Sequence, residues 1–593
     1  MTDPRSEYHR RLEVWGGRIA RLDRGHLLIS NLRLLLAGAC AAVLWLAFVR
    51  ASLSPGWVLA PAAAFGALVV VHARLLGRSD RARRAHRLYE RGLARLDDRW
   101  IGTGSDGARF LEGHEFARDL DLFGRGSLFE LINTARTEVG EVVLADWLRA
   151  GADSEEVRAR QTAIAELRPM IDFREDLSVL AAEAEVSRTG ALAEWAMDEG
   201  AGLSATVSIL LGACTGVAIA LAVLVFNQLM AAGWLIAWLL AQTAVAAIWR
   251  RRVHRVIAAV STPERDLALL SDVLERIERE RFTAPRLKAL EAALTLGGRP
   301  PSRRIASLRR LVSWLDATRN QLFVPVAAVL LLRSQLAVAI DRWHRTWGPS
   351  ISEWLRVVGE LEALAALAAY AYEHPDDPFP TLIEDGPVFH AESLAHPLIP
   401  ARDSVRNDVR LGAGAPQVII VSGSNMSGKS TLLRTVGVNV VLALTGAPVR
   451  AVRVRMSPLT IGATLKIEDS LQAGRSRFYA EILRIRAIVE LGRGPVPLLF
   501  LLDEILHGTN SYDRRIGAEA IVRALLAERA IGLVTTHDLA LTEFVEKLGS
   551  VAANMHFEDR LEDGRMAFDY RMRPGVVEHS NALALMRAVG LDV

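Results

Sequence analysis

Residues 417–430 read QVIIVSGSNMSGKS, and few local structures can accommodate them. An apolar run, a loop with glycine at either end and a Lys-Ser-Thr opening to a second apolar run predict a buried strand, a tight loop and a helix start. Gly423 to Ser430 match G-x-x-x-x-G-K-S. The glycines let successive backbone N–H groups turn toward phosphate oxygens. Lys429 can neutralise β- and γ-phosphates, and the Ser430 hydroxyl can ligate Mg²⁺. The following helix adds the positive end of its dipole. The expected phosphate cradle is Gly423, Ser424, Asn425, Met426, Ser427, Gly428, Lys429, Ser430 and Thr431.

Two later stretches complete such a site. Val496 to Glu504, VPLLFLLDE, carries an apolar run straight into two carboxylates. A buried parallel strand ending this way delivers both acids beside the phosphate loop. Asp503 is placed to hold Mg²⁺ and Glu504 to orient and deprotonate the attacking water, because phosphoryl transfer needs positioning and charge neutralisation above all. Ile531 to His537, IGLVTTH, predicts another buried strand whose terminal His537 can sense a γ-phosphate. Upstream, HPDDPFP (374–380) is a breaker cluster and a domain boundary. Residues 381–593 then alternate short β-like runs with helices, as in an α/β nucleotide-binding domain.

Composition matters for the remainder. Just over half of the 593 residues are apolar. That length implies about two to four domains, and the apolarity is concentrated in blocks. Residues 1–30 are arginine-rich and predict an amphipathic helix on the cytoplasmic side. Within 31–76, Leu32 to Val49 and Trp57 to Val71 form two apolar runs around a turn at Pro55. Each approaches the roughly 20 residues that span a bilayer. Within 203–249, Leu203 to Phe226 and Met230 to Trp249 form a second pair, followed by Arg250, Arg251, Arg252 and Arg255. Basic flanks on the outer ends place all four ends in the cytoplasm. A multi-pass protein of the inner membrane, with its catalytic part inside the cell, is the expectation. Leu322 to Leu332 is shorter and is expected to be a buried soluble helix. Residues 77–202 and 250–380 have helical periodicity. Cys40 and Cys214 lie inside apolar runs, which gives no disulfide framework or zinc spacing and fits a reducing compartment. The polar first thirty residues show no cleavable signal peptide.

The motifs GSNMSGKST (423–431), DEILHGTNSYD (503–513) and TTHDLAL (535–541) resemble the ATPase of MutS, the DNA mismatch-repair family. Asn425-Met426 inside the phosphate loop is typical of that family. HPLI (396–399) with Asn407-Asp408 is similar to the lead-in to that domain, and Asn554-Met555-His556 and SNALALMRAVGL (580–591) to its end. DSLQAGRSRFYAE (469–481) resembles the signature segment, which implies that Ser476 reaches the nucleotide of a partner subunit. GRGSLFELINTARTEVGEVVLADWL (124–148) and RARQTAIAEL (158–167) resemble the start of the helical core.

The resemblance thus runs from Asp119 to Leu591, interrupted by the second apolar pair. It implies an ABC-type α/β P-loop ATPase domain, C-terminal to an all-α core and lever region; the two apolar pairs add two transmembrane helical hairpins to that region. It also implies ATP and Mg²⁺ as ligands and a homodimer through the ATPase domains. The chain departs from the family at Ser424 (usually proline), Ser427 (glycine), Arg477 (threonine) and Arg514 (glycine). A membrane hairpin occupies the place of the mismatch-reading domain. Phe110-Leu111-Glu112 and Phe173-Arg174-Glu175 fit the bare Phe-x-Glu wedge pattern but lie beside or inside the core, so neither is expected to read DNA. No helix-turn-helix tail or nuclease-like extension is expected after the ATPase. Arg303 to Arg310 is the candidate remnant of a DNA clamp.

The leading functional expectation is a membrane-anchored ATPase that couples ATP turnover to DNA binding without mismatch specificity, with a lipid bilayer as its second partner. The alternative is an ATP-driven membrane switch or scaffold that never touches DNA. An export pump fits least, because its Leu-Ser-Gly-Gly-Gln signature is absent and four spans with almost no outer loops make a poor pathway.

Overall fold

The computed structural model describes residues 3–50, 52, 54–114, 116–184, 194–198, 200–260, 264–295, 298–318, 323–465, 477–506, 509–537, 539–562 and 565–577. The chain forms two compact units. One contains residues 1–133, 145–171 and 366–593, and the other residues 134–144 and 172–365.

In the first unit the described residues of the C-terminal part form the strands β1 (Thr381–Leu382), β2 (Phe389–Leu394), β3 (Asn407–Leu411), β4 (Val418–Ser422), β5 (Arg453–Met456), β6 (Thr460–Thr464), β7 (Leu498–Asp503), β8 (Ile531–Thr536), β9 (Ala552–Glu562) and β10 (Arg565–Pro574). They make a four-stranded sheet in the order β1-β5-β2-β3 and a six-stranded sheet in the order β10-β9-β4-β8-β7-β6. The larger sheet is parallel except for the β9–β10 hairpin. Its central strands β4 and β8 are buried at every residue, which explains why they read as continuous apolar runs rather than alternating ones.

The two faces divide by strand parity. Ile420, Phe500, Leu502 and Val534 pack with Ile488, Val522, Leu525 and Phe544 from the helices on one side. On the other side lies helix Lys429–Thr445, where a Cβ on Gly437 would stand 2.9 Å from Leu501. Parallel strands point their C-terminal ends one way, so Ser422, Asp503 and Thr536 emerge at the same edge.

Helices Pro4–Phe48 and Leu59–Leu96 run antiparallel in the same unit. The expected amphipathic segment and the first apolar run are therefore one helix, since Ile29-Ser30-Asn31 contains no glycine or proline to break it. The second apolar run likewise continues through the basic stretch to Leu96. The pair is fastened at its polar end. Tyr8 packs on Tyr89 and Tyr372 with ring centroids 5.4 and 5.7 Å apart, and its hydroxyl donates to Glu373 at 3.1 Å. Arg95 forks onto the same buried carboxylate.

The second unit is helical among its described residues. Ala205–Phe226 is followed by Ala232–Ala247, which bends by 68° into Arg250–Val260. Among the described residues three helices are long and apolar enough to cross a membrane, or four if that bent pair counts as one span. The third apolar run departs from expectation. It forms a six-residue helix, Val324–Val329, with Val324 and Val326 46% and 48% exposed. A helix this short has no second face to bury, so apolar composition alone did not place it inside. Phe110 packs on Phe123 and Phe129, and Phe173 is buried against Phe282, so neither Phe-x-Glu match presents a wedge. Arg304, in the suggested clamp remnant, is buried with its guanidinium 3.8 Å from the Trp347 ring centroid; Arg303, Arg309 and Arg310 are exposed.

Candidate nucleotide site

The phosphate loop leaves β4 at Gly423, with φ +149°, and enters its helix at Gly428, with φ +105°. Neither angle suits a side chain. A Cβ at Gly423 would also stand 3.0 Å from the Phe557 carbonyl oxygen. Met426 adopts φ +68° and is 84% exposed at the crest of the loop. Lys429 is buried, and its Nζ donates to the carbonyls of Gly423 and Ser424 at 2.8 Å each. The same ammonium lies 3.7 Å from Glu504. Burial pushes its pKa down, while the charges of Glu504 and Asp503 oppose that shift.

Register brings the acids to this loop. Asp503 on β7 stands opposite Thr535 on β8. The Thr535 hydroxyl donates to Asp503 and accepts from the Glu504 N–H at 3.0 Å, so one side chain fixes both carboxylate residues. Glu504 has φ +45°, a backbone state that non-glycine residues rarely hold without a functional or packing reason. His537 follows β8, with Nδ1 3.7 Å from the Glu504 carboxylate.

Asn425, Met426, Gly428, Lys429, Ser430, Thr431, Asp503 and Glu504 line one cavity of about 770 Å³. Gly423 and Ser427 are buried, and neither they nor Ser424 line it. Ser424 and Ser427 each keep a buried hydroxyl without a hydrogen-bond partner among the described residues. Buried polar groups normally find partners, so these two hydroxyls fit a loop with donors to spare for an anion. No cluster of three or more His, Cys, Asp or Glu side chains able to hold a metal occurs among the described residues. Ser430 and Asp503, the two residues expected to hold Mg²⁺, both line the cavity.

Several contributors were not named as site residues by the motifs. His396 and Asn407, part of the HPLI and Asn-Asp lead-in, line the same cavity with Val405, Phe557 and Tyr570. Burial and nearby Arg434 push the His396 pKa down to about 4. Its Nδ1 accepts from the Leu398 N–H at 3.2 Å, the arrangement of a neutral imidazole. Tyr570 comes from the β9–β10 hairpin, at φ +53°, and its ring would lie 3.1 Å from a Cβ on Gly428. Asn407 holds that strand, donating to Tyr570 O at 3.0 Å and accepting from Met572 N at 2.8 Å. No local motif announces Tyr570, because only the hairpin's return brings it over the loop.

Ser476, most of the stretch 469–481 and all of 580–591 lie outside the described residues. The flanks of the first stretch are anchored. Asp119 accepts from Leu465 N at 2.9 Å and pairs with Arg484 at 2.7 Å, and buried Glu481 accepts from Leu506 N at 2.6 Å. Arg514 turns onto its own loop, donating to Thr509 O at 3.1 Å.

The description of MutS domain V matches residues 419–592, which include the phosphate loop, both acids and His537. The C-terminal part of this chain belongs to the MutS family. The DNA mismatch repair protein MutS of Natronomonas pharaonis is 32% identical over 265 residues, 44% of this chain and 29% of that protein. MutS 2 of Halobacterium salinarum is 32% identical over 264 residues, again 44% and 29% of the two chains. The MutS of Thermus caldophilus is 27% identical over 318 residues, 53% of this chain and 34% of its own. The chain thus spans about a third or less of the length of each of these MutS relatives.

Proposed function

We propose that this protein is a membrane-anchored ATPase of the MutS type that hydrolyses ATP with Mg²⁺ and couples the cycle to DNA binding without reading mismatches. The observation that carries the proposal is the meeting of Lys429, Asp503 and Glu504 at the C-terminal edge of one parallel sheet, around a cavity large enough for a mononucleotide, with His537 3.7 Å from Glu504. Lys429 leaves its loop carbonyls to take the outer phosphates. Asp503 and Ser430 would hold the Mg²⁺, which would neutralise charge on the phosphate oxygens when bound. Glu504 accepts a proton from water, and His537 beside it orients that carboxylate and the γ-phosphate end. By resemblance, Ser476 of one subunit completes the site of another, which makes a homodimer the working unit.

Glu504→Gln tests the assignment. ATP binding persists, and phosphate release falls about 10²- to 10⁴-fold; turnover at the parental rate would remove Glu504 as the base. DNA coupling is tested by salt-titrated binding of homoduplex, mismatched and branched DNA to the solubilised protein, with an ATP analogue present. The expected result is binding that weakens steeply with salt and is similar for all three. A second reading, an ATP-driven membrane switch without DNA, is favoured by the burial of Arg304 under Trp347, which removes one cation from the suggested clamp. Absence of DNA binding near physiological salt decides for it.

A further inference from the structure

The turn between helices Val324–Val329 and Leu332–Glu373 is not built like a loop in water. Leu331 holds φ +48°, a left-handed state that costs a leucine energy. The carbonyls beside it are answered by side chains. Leu330 O accepts from Thr215 Oγ1 at 3.0 Å and from Gln335 Nε2 at 2.9 Å, and Val329 O accepts from Gln242 Nε2 at 3.0 Å. Gln335 also donates to Thr215 at 2.9 Å. Thr215 and Gln242 are 9% and 2% exposed, and each lies near the middle of an apolar helix, Ala205–Phe226 and Ala232–Ala247. At a turn in water, solvent satisfies such carbonyls. In hydrocarbon, protein groups must do so.

The outward side of the segment is apolar. Val324, Pro325, Val326 and Ala328 are exposed, and Arg333 is the only charged residue from Phe323 to Ile340. The base of the turn is fixed by Asp341, which accepts from Ala201 N at 2.7 Å and Leu203 N at 2.9 Å, just where helix Ala205–Phe226 begins. From Asp341 to Leu331 the chain rises ten residues, about 15 Å as helix, or roughly half the hydrocarbon thickness of a bilayer.

We propose that Phe323–Leu332 is a re-entrant membrane segment: it enters the cytoplasmic leaflet, turns at Leu331 against the polar cage of Thr215, Gln242 and Gln335, and returns without crossing. The proposal rests on the reading that Ala205–Phe226 and its partner span a bilayer. It adds a third lipid-facing element to that pair. Arg333 is exposed beside the turn, and its guanidinium must be drawn to the interface or to water.

The experiment uses the full chain in phosphatidylcholine/phosphatidylglycerol vesicles, with Cys40→Ser and Cys214→Ala removing the native thiols. A bimane label is placed by Val326→Cys, by Ile219→Cys on the spanning helix, or by Lys288→Cys on an exposed soluble helix. Lipids with nitroxides at shallow or deep acyl positions quench labels in hydrocarbon. Quenching at 219 and 326 is expected to exceed that at 288 by about threefold or more, with 326 responding to lipid nitroxides as a site in the bilayer does. Quenching at 219 with 326 matching 288 overturns the re-entrant segment and leaves the spans standing. No quenching at either site removes the spanning reading, and this proposal with it. Adding Thr215→Val and Gln242→Leu should lower quenching at 326 while 219 is unchanged; unchanged quenching at 326 would show that the cage does not hold the turn.

Discussion

Helices Lys429–Thr445 and Ala205–Phe226 are both predominantly apolar, yet their side chains meet opposite surroundings. In the first, Leu433, Val436, Val440 and Leu442 are fully buried between the sheet and its neighbours. In the second, Ile209, Val217, Ile219, Val223 and Phe226 are 73, 42, 48, 54 and 88% exposed. Apolarity says that a helix must be covered. It does not say by what. The strands that cover the first come from the same chain, each announced by its own motif. Among the described residues the second meets Ala232–Ala247, Gln335 of helix Leu332–Glu373 and the short segment at Leu330. Its remaining surface asks for something other than water.

The contrast can be broken by placing the same charge in each helix. Leu433→Asp puts a carboxylate where no partner exists, and should cost more than about 4 kcal/mol. Limited proteolysis and loss of ATP binding report it. Ile219→Asp should leave ATP turnover in detergent unchanged, while lowering insertion of that helix by about 2.5–3.5 kcal/mol; carbonate extraction of membranes measures this. Equal damage to turnover by both variants would erase the distinction.

A subtler probe is pH. The His396 imidazole has a folded pKa near 4, below its unfolded value of 6.5. The unfolded chain therefore binds the proton first as pH falls, and stability is lost from about pH 6.5 down toward 4. At pH 5 the loss should be about 2 kcal/mol. His396→Gln, which keeps a hydrogen-bonding side chain without the titration, should flatten that part of a denaturation-against-pH profile. The smallest effect concerns helix ends. Asn510 caps Ser511–Ala527, its Oδ1 accepting from Asp513 N at 2.9 Å, whereas Ser204 makes no side-chain cap for Ala205–Phe226. Asn510→Ala should cost about 1 kcal/mol of domain stability, and Ser204→Ala almost nothing.

What the sequence made legible follows the range of the interactions. The phosphate loop, Asp503, Glu504 and His537 were readable because each sits within a few residues of the strand that positions it, and strand parity and parallel register do the rest. Thr535 was printed beside His537 but gave no sign that it would brace both acids. Tyr570 and His396 reach the cavity from strands and loops over a hundred residues apart in sequence, a pairing that no local pattern encodes. The run at Phe323–Leu332 misled for a different reason. Its composition matches a buried helix, and the features that set its place are single polar residues in two other helices. The fastening of Pro4–Phe48 through Tyr8, Tyr89 and Tyr372 is invisible for the same reason, because it joins Tyr372 to residues almost three hundred positions away or more.

That first helix has a mechanical consequence. It is 45 residues long, contains no internal proline, and is clamped near one end by the tyrosine cluster and Glu373. At 1.5 Å per residue it is a rod of about 67 Å. A pivot of about 5° at Tyr8 would sweep its far end, about 60 Å away, through about 5 Å, roughly one helical turn. A joint in the middle would absorb such a swing. Without one, any small rotation of the clamp arrives magnified at Phe48.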